Sequence, residues 1–211
     1  MRRLVGIVAA TTGAALALAS SAHAGFGPIG VGDDFFDPST TIEAGLFGGV
    51  FSWQWNDDIT NDHNVRQDNK LFNSGAPTDD TDTSFGSIEL PAGKYHYYCT
   101  LHGSKNGGMD GNIEIVPLVG SPSPGEVPIT WALDNDIRVG DRWEVQYRVG
   151  NGNWKTWKKN TSALQGTFGA NDKPVNYNET KEYSVKVKTK LASNPDRQSK
   201  FSPRLSFGGV M

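Results

Sequence analysis

Cys99, His102 and Met109 place a thiol, an imidazole and a thioether within eleven residues, counting from Cys99 to Met109. They follow an aromatic run, Tyr95-His96-Tyr97-Tyr98, and Cys99 is the only cysteine of the chain. These three ligand types suit a small, soft metal site, copper above all. A single cysteine can form no intramolecular disulfide. In an oxidising compartment such a thiol is a liability unless it is buried, reactive or bound to metal.

The histidines sort by position. Beyond residue 24 there are three, His63, His96 and His102. If residues 95–99 form a strand, alternation puts Tyr95, Tyr97 and Cys99 on one face and His96 and Tyr98 on the other. With Cys99 facing inward, His96 is expected at the surface and not as a ligand. His63 sits in Asp62-His63-Asn64-Val65, after the strand-like Trp53-Gln54-Trp55-Asn56. It can reach Cys99 only if the fold brings two strand ends together, as one end of a β-sandwich does. Taken alone, His63 reads as a loop histidine and Met109 as a core methionine.

The elements that must position these residues read as short strands. Phe35-Phe36, residues 50–55, residues 87–90, residues 95–99 and residues 112–116 are strand candidates separated by Gly, Pro, Asn and Asp clusters. No long helical periodicity follows residue 24. An all-β sandwich is expected.

Residues 1–24 have the form of a secretory signal peptide. Arg2 and Arg3 precede an apolar run from Leu4 to Ala19, and Ala22-His23-Ala24 resembles a cleavage site. An uncleaved anchor is the alternative. The expectation is an exported protein, secreted or held in the cell envelope, that does not span a membrane after cleavage.

Charge divides the remainder. Residues 25–117 carry 4 basic and 14 acidic side chains, and residues 118–211 carry 14 basic and 9 acidic. The join contains Gly120-Ser121-Pro122-Ser123-Pro124-Gly125, a composition that favours extended linkers. The expected organisation is a first domain at 25–117, a linker at 118–126 and a second domain at 127–211. Asp57, Asp58, Asp62, Asp79, Asp80 and Asp82 make the first domain acidic, which suits steering toward a basic partner or simple solvation of loops.

The second domain is also β-patterned. Trp143, Val145, Tyr147 and Val149 alternate with polar residues, Gly150-Asn151-Gly152-Asn153 is a hairpin turn, and Trp154 to Lys158 is the return strand. Tyr183, Val185, Val187 and Thr189 alternate with Ser184, Lys186, Lys188 and Lys190. The basic faces suit an anionic envelope polymer, an acidic protein or the acidic first domain. Trp154 and Trp157 could form a carbohydrate platform, but their spacing puts them on opposite faces of a regular strand. Nucleic acid is not expected for an exported chain with a sequence pI near 5.8.

Cys-x-x-His with a following Met, after Tyr-x-Tyr-Tyr and before Gly-x-Ile-x-Ile, resembles the type 1 (blue) copper site of plastocyanin/azurin-like cupredoxins. The upstream His-Asn-Val matches that family's first histidine ligand. The resemblance covers residues 25–117 and implies a Greek-key sandwich. It implies His63, Cys99 and His102 as strong ligands of one copper ion, with Met109 as a weak axial ligand. It makes Asn64 a strap between the ligand loops. Six residues separate His102 from Met109, more than in plastocyanin, so Met109 must be brought back by the Gly103–Gly108 segment, read as a flexible loop. With His102 also on a loop, its ring edge would be the electron port. Residues 127–207 resemble a fibronectin type III, immunoglobulin-like sandwich, with Trp131 as an early core residue and Tyr183 as the tyrosine-corner residue.

The implied function is one-electron transfer between Cu(I) and Cu(II), with a redox partner protein, and no enzyme activity. Too few histidines are present for a multicopper oxidase, and no nucleophile-elbow sequence supports a hydrolase. Zinc held by His63, Cys99 and His102 is conceivable. Copper sequestration or delivery is the alternative function, as is an adhesion protein whose first domain is mainly structural.

Overall fold

The computed structural model describes residues 27–39, 41–46, 50–133, 141–169, 172 and 174–209. The expected signal peptide lies outside the described residues. The chain is all-β, and its strands build two sandwiches with separate cores.

In the first half, one sheet runs β2-β1-β4-β6, from β1 (Ile29–Gly32), β2 (Phe35–Asp37), β4 (Val50–Trp55) and β6 (Ser84–Glu89). The facing sheet runs β3-β8-β7-β5, from β3 (Thr41–Gly45), β5 (Arg66–Gln67), β7 (Gly93–Ser104) and β8 (Gly107–Val116). Strands β1 and β4 pair in parallel, as do β3 and β8, while the other pairs of these sheets are antiparallel. Such pairing requires chain crossovers between the sheets and ties distant segments into one core.

Alternation decides what that core contains. Phe51, Trp53 and Trp55 of β4 point inward, as do Met109, Ile113 and Ile115 of β8 and Tyr95, Tyr97 and Cys99 of β7. Trp53 stands edge-on to Tyr97 at a centroid distance of 5.3 Å, and Phe36 meets the same tyrosine at 5.0 Å. Truncating a buried aromatic of this kind to Ala costs about 3–5 kcal/mol.

The second half pairs β9 (Leu118–Val119), β10 (Glu126–Thr130) and β13 (Gln165–Gly169) in the order β13-β10-β9. Opposite lies β12-β11-β14, from β11 (Asp141–Val149), β12 (Lys155–Thr161) and β14 (Glu182–Leu191), extended by β15 (Asn194–Gln198) and β16 (Leu205–Gly208) along β14. Trp131, Trp143, Phe168 and Tyr183 fill its core. The Tyr183 hydroxyl accepts the Asn178 N–H at 3.0 Å, a local corner of the kind expected there. Leu118 and Val119, expected within the linker, are instead strand residues paired with β10.

The two halves are stitched along β7. Ala92 N–H donates to Trp131 O at 2.8 Å, Lys94 and Lys200 exchange backbone hydrogen bonds, and the Tyr95 hydroxyl lies 3.3 Å from Thr189 Oγ1. The 66–70 segment joins in, with Asn69 Nδ2 donating to Gln198 O and Arg197 Nε to Lys70 O.

That covering corrects the expectation for His96. It is buried, with Nδ1 2.5 Å from Asp68 Oδ1 and Nε2 2.8 Å from Asp110 Oδ2. Alternation placed its side chain correctly on the face away from Cys99. That face, however, is roofed by the Asp68 segment, whose Asp68 N–H donates to His96 O and whose carboxylate meets Lys200 of the second half at 3.4 Å.

Candidate metal centre

Between Tyr98 and Gly103, strand β7 abandons regular pairing. Tyr98 pairs with Asp110 and Gly103 with Gly108, so four residues, Cys99 to His102, oppose Met109 alone. Such a bulge bends the strand and re-aims its side chains. Cys99 and His102 are three apart and would face opposite ways on a regular strand. On the bulge they turn toward one another, with Cys99 Sγ 3.7 Å from His102 Nδ1.

Two glycines make this possible. A Cβ on Gly103 would fall 2.4 Å from Met109 O, and one on Gly108, whose φ is +100°, would fall 2.6 Å from His102 O. The segment after His102 is therefore no flexible loop. Ser104 pairs with Gly107, leaving a tight turn at Lys105-Asn106. His102 itself belongs to β7, not to a loop. The hairpin returns Met109 beside the bulge, buried in the same core cluster as Cys99.

The third member arrives from the other side. His63 N–H and C=O pair with Thr78, which anchors the segment after β4. Its Nδ1 lies 3.1 Å from His102 Nδ1. One ligand atom from each of His63, Cys99 and His102 lies within 4.8 Å of the others, so this group could hold a metal ion. His63 and Cys99 are fully buried, whereas the His102 side chain is 27% exposed. The cluster thus has a closed floor and one edge toward solvent.

Asn64 straps the two ligand segments together. Its Oδ1 accepts the Thr100 N–H at 2.8 Å and lies 3.1 Å from the Thr100 hydroxyl, while its Nδ2 donates to Gly75 O. The bulge is therefore held from the His63 side by a side chain that accepts from Thr100 and donates to Gly75.

Asp33 was not singled out by the sequence. It lies in the turn between β1 and β2, and its carboxylate accepts the N–H groups of Thr60 and Asn61 and the Thr60 hydroxyl. The same carboxylate meets His63 Nε2 at 3.2 Å. The Thr60 hydroxyl and then the Thr60 N–H hold the Asp33 carboxyl well below the usual carboxylate range, against the opposing effect of burial, with His63 and Asn61 adding to the pull. An ionised carboxylate only accepts, so the ring hydrogen of His63 belongs on Nε2, which leaves the Nδ1 lone pair facing the cluster. An Asp-Asp turn carries no motif, and only the sheet order that sets β1 beside β4 could have pointed to it. Asp34, its neighbour, lies 3.7 Å from His102 Nδ1 at the exposed mouth.

The donor set fits a thiophilic ion. A free, buried thiol with two imidazole nitrogens gathered within reach of one ion suits a Cu or Zn site.

Comparison with known proteins adds little. No family model matches the chain. No curated protein matches it. Among the solved structures that match, one described as "Myokine structure" is similar over 44% of this chain and 89% of its own, at 16% identity and a TM-score of 0.32. A likeness of that size carries no argument about function.

Proposed function

We propose that the chain is an exported blue-copper electron carrier, with a cupredoxin domain at 25–117 joined to a fibronectin type III-like module at 127–211. One observation carries the reading: a lone, buried cysteine faces two histidines from separate segments, with one histidine edge open to solvent. His63, Cys99 and His102 would hold one copper ion. Met109, which the register sets opposite the bulge, would be a weak axial ligand.

Copper bound there would cycle between Cu(I) and Cu(II) with little change in ligand positions. The protein's part is to fix those positions. Asp33 orients His63, Asn64 ties the His63 segment to Thr100, and the buried floor keeps water away from the thiolate. His102, with its partly exposed ring, is the route by which an electron enters or leaves. The acidic surface of this half suits a basic redox partner. No enzymatic step is assigned to these residues.

The test is direct. Cu(II) added to the purified protein should give an intense blue or green thiolate-to-copper band, absent in Cys99→Ser. A colourless product with Cys99 reduced and intact would overturn the proposal. The open mouth at His102 and Asp34 supports a second reading, copper storage or delivery. A reversible voltammetric couple favours electron transfer, and rapid loss of the ion to a chelator without such a couple favours delivery.

A further inference from the structure

The outer face of the β11–β14 pair carries a charge pattern that folding alone does not require. Trp143, Val145 and Tyr147 of β11 and Val185 and Val187 of β14 fill the core. Arg142, Glu144, Gln146 and Arg148 therefore share the other face with Lys186, Lys188 and Lys190. Register sets Arg142 directly opposite Lys190, and like charges so placed are destabilising. Glu144 is the single carboxylate among these seven residues, and Glu182 shares the face at the start of β14. It serves two lysines, at 2.6 Å from Lys190 Nζ and 3.5 Å from Lys188 Nζ.

Arg148 and Lys186 rest on rings, whereas Arg142 Nη1 donates to Asp141 O. The Arg148 guanidinium lies 4.9 Å from the Trp154 centroid and the Lys186 ammonium 4.3 Å from it. Lys186 and Lys188 also lie 4.5 and 4.8 Å from the Phe201 centroid. Rings attract cations without neutralising them. Burial and then the Arg148 charge pull the Lys186 amine below its usual range, against the opposing charge of Glu144.

We propose that this stripe is a docking surface for an anionic polysaccharide, one bearing carboxylates or sulfates at regular intervals. The three lysines recur at every second residue of one strand, roughly 7 Å apart, so the positive charge is linear and suits an extended chain better than a single ion. Cationic heads already held on rings have little freedom left to lose on binding. Nucleic acid suits the face poorly. Single strands bind by stacking bases on free aromatic rings, and here Trp154 and Phe201 are capped by cations. Trp154 and Trp157 form no shared carbohydrate platform, as their spacing implies, because Trp157 packs edge-on against Trp131 and Phe168. The surface is independent of the metal cluster, so either proposal can fail alone.

The full chain should be titrated with dextran sulfate, with neutral dextran, polyglutamate and single-stranded DNA as comparisons. Dextran sulfate should bind, and its affinity should fall roughly 10- to 100-fold between about 50 and 200 mM salt, as release of counter-ions from about four contacts requires. Lys186→Gln with Lys188→Gln should weaken binding at least about tenfold, and the paired Lys→Arg changes should retain it. Equal binding by the wild type and the Gln variant, or no binding to dextran sulfate, would overturn the proposal. Tighter binding to polyglutamate or to DNA would reassign the face to an acidic protein or a nucleic acid. Should the double variant fail to fold, Glu144→Gln serves instead: it removes the opposing carboxylate and should tighten binding, and unchanged affinity would count against the proposal.

Discussion

Asp33 Oδ1 lies 3.2 Å from His63 Nε2 while His63 Nδ1 lies 3.1 Å from His102 Nδ1. One imidazole is thus held from behind by a carboxylate and presents its other nitrogen to the cluster. Partners of this kind tune ligand basicity and typically contribute 10- to 100-fold in metal affinity. Asp33→Asn should therefore weaken metal binding by about that factor and raise the reduction potential, because a less basic imidazole supports Cu(II) less well. Nitrogen-resolved NMR of the metal-free protein gives an independent readout. The wild type should show the Nε2–H tautomer of His63, and the variant a mixture.

Asn64→Ala should destabilise the metal-free protein by about 1–3 kcal/mol, since it leaves the Thr100 N–H without its acceptor. Chemical denaturation measures this. An unchanged midpoint would mean that the strap is not formed before the metal binds.

Deleting Leu101, which is largely exposed, shortens the bulge by one residue while removing little from the core. The loss leaves three residues instead of four opposite Met109, so the bulge that turns Cys99 and His102 toward one another is not kept. The variant should fold, keep its near-ultraviolet spectrum and lose the thiolate-to-copper band. Retention of the band would show that the bulge does not aim His102.

Met109→Leu keeps the volume and apolar character of a buried side chain. It should retain the ion and shift the potential, in line with axial tuning. Loss of the ion would show that Met109 does more than tune.

Glu144 gives a pH dependence with a definite sign. Burial raises its carboxyl, but the Lys190 hydrogen bond and the charges of Lys188 and Lys190 outweigh it, and the net direction is down. A folded-state value below the unfolded one, about 4.3, contributes stability that is present above that pH. It is lost as pH falls through the folded value. Stability between about pH 3 and 5 should therefore rise with pH more steeply in the wild type than in Glu144→Gln, as urea midpoints would report.

The sequence made some of this legible through period-two alternation, which identified the inward faces of β7, β11 and β14. It also supplied the three ligand candidates, because Cys99 is solitary and histidines are few. What stayed hidden was set by long-range pairing. The bulge depends on where β8 pairs with β7, which strand propensity does not encode. Asp33 reaches His63 only because β1 lies beside β4. The burial of His96 comes from a roof supplied partly by residues more than a hundred positions away, Lys200 among them. Short strands such as β5 and β9 have too few residues for any periodicity to register.

Strand β7 and the residue before it meet the second half at Ala92, Lys94 and Tyr95, and β7 carries the ligand bulge toward its far end. The two cores are separate, yet they share a spine. A cut at the 120–125 connector would therefore not release an intact first half: the Ala92 N–H, the Tyr95 hydroxyl and the Asp68 carboxylate would each lose a partner to water. Anything that pulls the second half away from β7, whether load, ligand or protease, acts on the same strand that carries Cys99. The seam is in that sense a lever, with its fulcrum in the first sandwich and its tip at the thiol.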